Sequence, residues 1–334
     1  MLDISRLPKV ELHVHLEGTI RAATALKLAE RHGVDPASLP LVEGEYPDPF
    51  DDFEHFVRVY LAVSALVQDP EDLRTIAADF ARAQVAQNVR YTEVTFTALT
   101  HVRNGMDPEA MWDAVVGGLS QVEEGFEINL IVDAVRDMGP QHALDMIALV
   151  EATDAPIVGL GLTGIENSVH EREFKMLRDA ADRLGLGLAV HAGETGTPAN
   201  VLAALDDLGA QRIGHGVASV EDPGLVERLV SDQTMVEVCP SSNVALGIFP
   251  DLGHHPFPAM YAAGLNVTVN SDDPPFFSTT LTEEIEHVRR LCGLDEEAVT
   301  ELQRRGARAA FAPQETKDRL LAEIDDFLRG ETAL

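Results

Sequence analysis

The chain has little positive charge. Its 334 residues include 25 Lys plus Arg, only four of them lysine, against 56 Asp plus Glu, for a formal net charge of -31 at pH 7. Proteins that bind nucleic acid or anionic lipid carry a surplus of cations that neutralises phosphates, so this deficit excludes both kinds of partner. The simplest explanation of the carboxylates is a solvated acidic surface suited to high salt.

Cysteine and long apolar runs are also scarce. Cys239 and Cys292 are too few and too far apart in sequence for a disulfide framework or a cysteine-based zinc cluster. No uninterrupted apolar run approaches the roughly 18 residues of a membrane helix, and residues 1–9 lack an apolar signal region. These absences predict a reduced, cytoplasmic protein. The 45% of hydrophobic residues predicts a packed core rather than disorder.

Short apolar or β-branched runs alternate with amphipathic stretches, a pattern typical of a parallel sheet covered by helices. The runs predict strands near residues 10–15, 91–96, 129–135, 157–160, 186–191, 212–214, 234–239 and 265–271. Eight strands at this spacing favour a closed (β/α)8 barrel of the α/β class over an open sheet. No repeat or low-complexity linker divides the chain, so residues 1–334 are predicted to form a single domain.

The connection between the first two predicted strands is much longer than the others. About residues 19–88 are predicted to form a helical insertion, which contains an aromatic-rich helical stretch at residues 50–61. An insertion at this point lies over the catalytic face of a barrel, where it can cap a substrate. Packing of the aromatic side chains onto the barrel explains them equally well. Residues 281–291 and 315–328 are predicted to be C-terminal closing helices.

Histidines and carboxylates stand at four of the eight predicted strand ends, where the reactive groups of a barrel cluster. They are His13 and His15 after the first strand, His191 and Glu194 after the fifth, His215 after the sixth, and Asp272 and Asp273 after the eighth. Three imidazoles and a carboxylate suit zinc or a similar divalent ion, with one position open for water. Such an ion lowers the pKa of that water and yields hydroxide, while a further histidine and a carboxylic acid transfer protons.

Two other motifs are weaker evidence of function. Residues 159–164 match G-x-G-x-x-G, but a dinucleotide site needs a helix at that point and an acidic residue after the next strand. A polar loop follows instead, and the next strand ends at His191. His15 and Glu17 form the H-x-E of cytidine-type zinc deaminases, but the P-C-x-x-C that completes that signature is absent at Cys239.

Four segments together resemble the adenosine deaminase family of the amidohydrolase superfamily. They are residues 8–18 (PKVELHVHLEG), 191–194 (HAGE), 212–216 (RIGHG) and 270–274 (NSDDP). They occur in the family's order and span most of the chain. The resemblance implies a zinc-dependent hydrolase with one Zn²⁺ per chain, which attacks the C–N bond of a 6-aminopurine and releases ammonia.

The resemblance also implies a role for each matching residue. The implied metal ligands are His13, His15, His191 and Asp272, and the implied catalytic residues are His215, Glu194 and Asp272. His215 resembles the base that deprotonates and orients the attacking water, and Glu194 resembles the acid that protonates ring N1. The implied substrate contacts are Asp273 at N7, the backbone of Gly164 at N3, His15 and Glu17.

The sequence departs from the family at Glu17, where adenosine deaminases usually carry an Asp that resembles a contact to the ribose 5′ hydroxyl. Relatives that act on free adenine or on 6-aminodeoxyfutalosine also have Glu at this position. Residues 213–215 resemble the nucleoside enzymes, since adenine deaminases tend to have Asp before His215. Residues 164–167 differ from the Gly-Asp-Glu common in adenosine enzymes.

An adenosine-type nucleoside is therefore the leading predicted substrate, with adenine and 6-aminodeoxyfutalosine as alternatives. An amide- or ester-hydrolysing barrel and an inactive binding barrel are weaker alternatives, because the predicted metal and proton-transfer residues are all present. The predicted partner is a small purine, and the sequence leaves open the formation of a homo-oligomer.

Overall fold

Eight parallel strands form a single sheet in the order β1 to β8, in a computed structural model that describes residues 3–330. The strands are β1 (Lys9–His15), β2 (Val89–Phe96), β3 (Glu127–Val135), β4 (Ile157–Thr163), β5 (Gly187–Ala192), β6 (Arg212–His215), β7 (Met235–Val238) and β8 (Asn266–Val269). Every predicted strand is present, with bounds that differ from the prediction by at most three residues. The predicted (β/α)8 barrel is therefore confirmed.

Helices follow the strands and surround the barrel. They are α1 (Ala22–Arg31), α2 (Phe53–Ser64), α3 (Pro70–Ala86), α4 (Ala98–Arg103), α5 (Pro108–Leu119), α6 (Pro140–Glu151), α7 (Met176–Leu184), α8 (Pro198–Asp206), α9 (Pro223–Asp232), α10 (Pro240–Ala245), α11 (Phe257–Ala262), α12 (Leu281–Cys292), α13 (Glu296–Ala309) and α14 (Gln314–Arg329). The predicted closing helices correspond to α12 and α14. Within the described part of the chain, none of the helices is both long and apolar enough to cross a bilayer.

The connection from β1 to β2 contains α1, α2 and α3. Helix α3 packs against α5 and β2, whereas α2 contacts the short 3-10 helix Glu17–Thr19 that directly follows β1. Asp52 caps the N-terminus of α2 by accepting a hydrogen bond from the backbone N–H of His55. The aromatic-rich stretch is therefore held at the carboxyl end of the barrel.

The barrel closes between β8 and β1 through side chains as well as backbone. The backbone N–H of Val10 donates to Gln303 Oε1 (3.0 Å), and that of Leu12 donates to Asn270 Oδ1 (2.9 Å). Beyond them the backbones pair directly, since His15 N–H donates to Asp272 O and Asp272 N–H donates to His13 O. The backbone of β1 therefore pairs directly with the segment that follows β8, at residues of the predicted metal site.

A buried charge cluster lies below the carboxyl end of the barrel. The guanidinium of Arg212 is 1% exposed, and its Nη2 lies 2.5 Å from Glu93 Oε2 while its Nε lies 2.6 Å from Glu237 Oε1. The ring of Phe311 stacks on the guanidinium at 3.7 Å. Gly187 leaves room for this ring, because an added Cβ would lie 2.3 Å from it.

Replacing Arg212 by methionine is expected to lower the free energy of unfolding by roughly 3–5 kcal/mol, since two buried carboxylates would lose their counter-ion. Arg228→Met is the matched control, because Arg228 pairs with Asp206 at the surface and such pairs contribute about 0–1 kcal/mol. Urea denaturation of the two variants measures the difference. An Arg212 variant as stable as the control would show that the buried cluster adds nothing to stability.

Candidate active site

The four predicted metal ligands meet at the carboxyl ends of the strands. Asp272 Oδ1 lies 3.3 Å from both His13 Nε2 and His15 Nε2, and His15 Nε2 lies 3.1 Å from His191 Nε2. One ligand atom from each of the four residues lies within 4.8 Å of the others. Three nitrogens and one oxygen that converge in this way, with little solvent, match the donor set of a divalent metal.

His13 is oriented by a carboxylate that the sequence analysis missed. A carboxylate only accepts hydrogen bonds, so His13 Nδ1 carries the proton and donates to Glu237 Oε2 at 3.2 Å. When His13 loses its second proton, its lone pair is on Nε2, a buried atom without a hydrogen-bond partner in residues 3–330. A metal ligand that is oriented by a second carboxylate is the usual arrangement at metal sites. The residues present therefore fit a divalent ion.

The backbone turns sharply where the ligands are presented. His215 and Asp272 both adopt left-handed conformations, with φ of 59° and 63°. Such angles are uncommon for residues other than glycine and mark strain that the surrounding fold maintains. Because the strand has ended, the neighbouring carboxylates of Asp272 and Asp273 can serve different partners.

The pKa values of the histidines in the cluster shift in opposite directions. Burial and the neighbouring imidazoles lower the pKa of His191, and burial lowers the pKa of His215 to about 3. Burial also disfavours charge on His13, but the nearby carboxylates of Asp272 and Glu237 outweigh that effect and raise its pKa to about 10. A ligand must lose its proton to bind a cation, so metal binding at His13 releases a proton.

The pKa values of the three carboxyl groups beside the ligand cluster shift in opposite directions. Burial would raise the pKa of Asp272, but the surrounding histidines outweigh it and hold the pKa well below the usual value. Burial and the charge of Asp272 raise the pKa of Glu194 and of Asp273 well above the usual values. Opposed shifts of this kind separate the proton donors from the permanent anion.

Glu194 and His215 face each other beside the ligands. Glu194 Oε1 lies 3.7 Å from His215 Nε2, which lies 3.8 Å from Asp272 Oδ2. The other ring nitrogen of His215 is 3.3 Å from Asn243 Nδ2, and Asn243 Oδ1 is 3.1 Å from His255 Nε2. Asn243, which was not among the residues predicted from sequence, holds the ring of His215 with Nε2 toward the reactive groups.

A cavity of about 370 Å³ opens above this cluster. Its walls come largely from α2 through Phe53, Phe56 and Tyr60, and His101 from α4 also lines it. His101 Nε2 lies 2.9 Å from Glu17 Oε1, and the other carboxylate oxygen of Glu17 has no hydrogen-bond partner among the described residues. The predicted substrate contacts His15, Glu17, Gly164 and Asp273 all line the same cavity.

Two further features accompany these substrate contacts. Gly18 lies directly against Asp273, since an added Cβ would be 1.6 Å from its Oδ1. Asp133, at the end of β3, is fully buried, and its Oδ2 accepts a hydrogen bond from Thr163 Oγ1 at 2.5 Å. Burial raises the pKa of Asp133, with Thr163 opposing the shift. Asp133 is an acidic residue within an otherwise apolar predicted strand, and this is the sequence signal that could have identified it.

Comparison with known proteins agrees with this geometry. The sequence model of the family described as Adenosine deaminase matches residues 8–327. An aminodeoxyfutalosine deaminase from Streptomyces avermitilis is 38% identical over 333 residues, covering 97% of this chain and 92% of that protein. The crystal structure of an adenine deaminase from Arthrobacter aurescens superposes with a TM-score of 0.90 at 33% identity, covering 97% and 99% of the two chains. An amidohydrolase from Burkholderia ambifaria with bound zinc gives a TM-score of 0.84 at 26% identity, covering 98% and 93%.

Proposed function

The chain belongs to the adenosine deaminase family, and from that membership we propose that it is a zinc-dependent hydrolase that deaminates an adenosine-type purine nucleoside. As a member of this family it is an aminohydrolase that acts on adenine-like substrates. The observation that carries the proposal is a cavity with two acids and a cluster of three histidines and an aspartate at its inner end. The overall reaction adds water to C6 of the purine and releases ammonia, which leaves the 6-oxopurine.

His13, His15, His191 and Asp272 would hold the metal. Imidazole and carboxylate ligands are typical of zinc, and a relative with bound zinc supports that choice. The ion, when bound, supplies a water molecule of lowered pKa beside the substrate.

The remaining residues bind the purine and move protons. Burial and the nearby Asp272 raise the pKa of Glu194, which favours the protonated form that can donate to N1 while C6 is attacked. Burial and Asp272 also raise the pKa of Asp273, and its protonated form can donate a hydrogen bond to N7, which is an acceptor. His215 faces Glu194 at 3.7 Å, and we assign to it the orientation and deprotonation of the attacking water. The backbone of Gly164 is assigned to N3.

The cavity favours a neutral substrate with a substituent on N9. None of the residues that line it within residues 3–330 is Lys or Arg, whereas five are Asp or Glu, so the lining offers no lysine or arginine to neutralise a phosphate. Toward the solvent the lining includes Leu61 (57% exposed), Met138 (54%) and Ile165 (39%). Exposed apolar side chains around a cleft mark a binding surface, and a bare base seated on the metal cluster would leave this part of the cavity unused.

Free adenine is the second candidate. The adenine deaminase from Arthrobacter aurescens superposes closely, and Glu17 resembles the glutamate of relatives that act on adenine. The unpartnered oxygen of Glu17 could accept a hydrogen bond from N9–H of a free base or from a ribose hydroxyl. Turnover of different substrates distinguishes the nucleoside from the free base.

A panel of adenosine, deoxyadenosine, methylthioadenosine, 6-aminodeoxyfutalosine, adenine and AMP tests the assignment. We expect ammonia release from adenosine, deoxyadenosine and methylthioadenosine, which are uncharged nucleosides. For AMP we expect kcat/KM roughly 100-fold or more below that for adenosine, about 2.7 kcal/mol of like-charge repulsion in a desolvated cleft. Turnover of adenine alone would transfer the assignment to the free base. No ammonia from any compound with the metal-loaded enzyme would exclude the proposed reaction.

A further inference from the structure

One carboxylate binds the backbone N–H groups of the loop that carries Glu194. Residues 193–196 follow β5, and their four consecutive backbone N–H groups all donate to the side chain of Glu166. Gly193 N lies 2.7 Å from Oε2, and the distances to Oε1 are 2.8 Å from Glu194 N, 2.9 Å from Thr195 N and 3.1 Å from Gly196 N. Glu166 is only 6% exposed.

This arrangement is an anion site whose anion is supplied by the chain itself. Successive N–H groups that point into one concavity bind anions, and hydrogen bonds to an ionised carboxylate are about twice as strong as neutral ones. The carboxylate is also closely confined, because a Cβ added at Gly196 would lie 2.4 Å from Glu166 Oε2. The loop conformation therefore depends on the presence of a charged oxygen pair of this size.

Glu166 is itself held from both sides. It belongs to the loop after β4, where the backbone N–H of Ile165 donates to Asp137 Oδ1 at 3.2 Å. Its other neighbour, Asn167, accepts a hydrogen bond from Asn200 Nδ2 at 2.8 Å. The β4 loop is thus tied to the end of β3 and to α8, so it forms a fixed support for the β5 loop.

We propose that Glu166 is a positioning residue for the deamination, which holds residues 193–196 so that the carboxyl group of Glu194 meets ring N1. The inference rests on the proposed function of Glu194 as the proton donor. A misplacement of about 1 Å in a catalytic group can cost roughly 100-fold in rate, and Glu166 determines where this loop lies. Glu166 does not line the cavity.

The test is a double-mutant cycle of Glu166→Gln and Glu194→Gln. The amide has one accepting oxygen instead of two and directs N–H groups at the loop, so at least one of the four bonds is lost. In the parent enzyme Glu166→Gln is expected to lower kcat roughly 100-fold, with full metal content and little change in KM. In the Glu194→Gln background the same change is expected to have almost no further effect, because the group that it positions is absent.

Equal losses of kcat in both backgrounds would overturn the positioning role, since general damage to the fold is independent of Glu194. Near-normal turnover of Glu194→Gln alone would instead overturn the proposed function, so the two failures are distinguishable. Gly196→Ala is the second variant should Glu166→Gln not fold: it displaces the carboxylate by contact and must show the same dependence on Glu194.

Asp72→Asn is the matched control for loss of a buried carboxylate. Asp72 is fully buried and accepts backbone hydrogen bonds from Gln68 and Asp69, but it lies on α3 and does not line the cavity. We expect this variant to unfold at lower temperature while its kcat stays unchanged. A fall in kcat as large as that of Glu166→Gln would show that any buried carboxylate has this effect and would contradict a specific role for Glu166.

Discussion

Replacing Glu194 by glutamine is expected to lower kcat by roughly 10²–10⁴-fold, the contribution typical of a general acid, while metal content and fold are retained. Purine C6 is a poor electrophile until N1 gains a proton, and an amide of the same shape cannot supply one. Burial and the neighbouring carboxylates raise the pKa of Glu194 well above its usual value, which favours the protonated form that the reaction requires. Steady-state kinetics with the best substrate of the panel measures the effect.

The control for this change is Glu284→Gln. Glu284 is also buried, and burial raises its pKa to about 7, but it binds Ser241 N and Thr279 Oγ1 and does not line the cavity. We expect this variant to keep its kcat. Near-normal turnover of the purine by the Glu194 variant would remove the residue from the mechanism.

The second large effect is expected for His13→Ala, which should lose both the bound metal and the activity. His13 provides one of four converging ligand atoms, and its removal also leaves Glu237 without its imidazole partner. Loss of a residue that merely orients a ligand typically costs 10–100-fold in metal affinity, so loss of the ligand itself is expected to cost more than about 100-fold. Elemental analysis of the purified protein after dialysis against a weak chelator measures the metal directly.

His32→Ala is the matched control for the metal experiment. His32 bonds to Asp72 at 2.6 Å, and neither residue lines the cavity. The variant should keep one equivalent of metal per chain and full turnover. A full metal equivalent in His13→Ala would contradict the ligand assignment, whatever its activity.

The barrel could be predicted from sequence because its signals are local. Apolar runs alternating with amphipathic stretches identified all eight strands, and polar residues at the strand ends identified His13, His191 and Asp272 as a group that the fold does bring together. Local pattern was less informative after β8. The helix α13 was not predicted, although its Gln303 completes the seam between β1 and β8, because a charged amphipathic stretch there does not reveal which strands it covers.

Supporting residues were missed for a different reason. Glu237 lies within β7, Asp133 within β3 and Glu166 in the loop after β4, and each is separated in sequence from the residue that it supports. An acidic residue within a strand or loop can be noticed in the sequence, but its hydrogen-bond partner is unknown until its spatial neighbours are known. Its function depends on a hydrogen bond between segments that are distant in sequence, which only folding brings within about 3 Å.

The sequence by itself determined the class of the fold, the residues that could hold a metal, and the exclusion of polyanionic partners through a net charge of -31. It did so because strand periodicity, residue chemistry and total charge are properties of the chain in any conformation. Only the tertiary structure decided which acids keep their protons, which nitrogen of His13 faces the ligands, and how Glu166 holds the loop of Glu194. These depend on burial and on distances of a few ångströms between separate strands, where a single hydrogen bond or charge changes the protonation state.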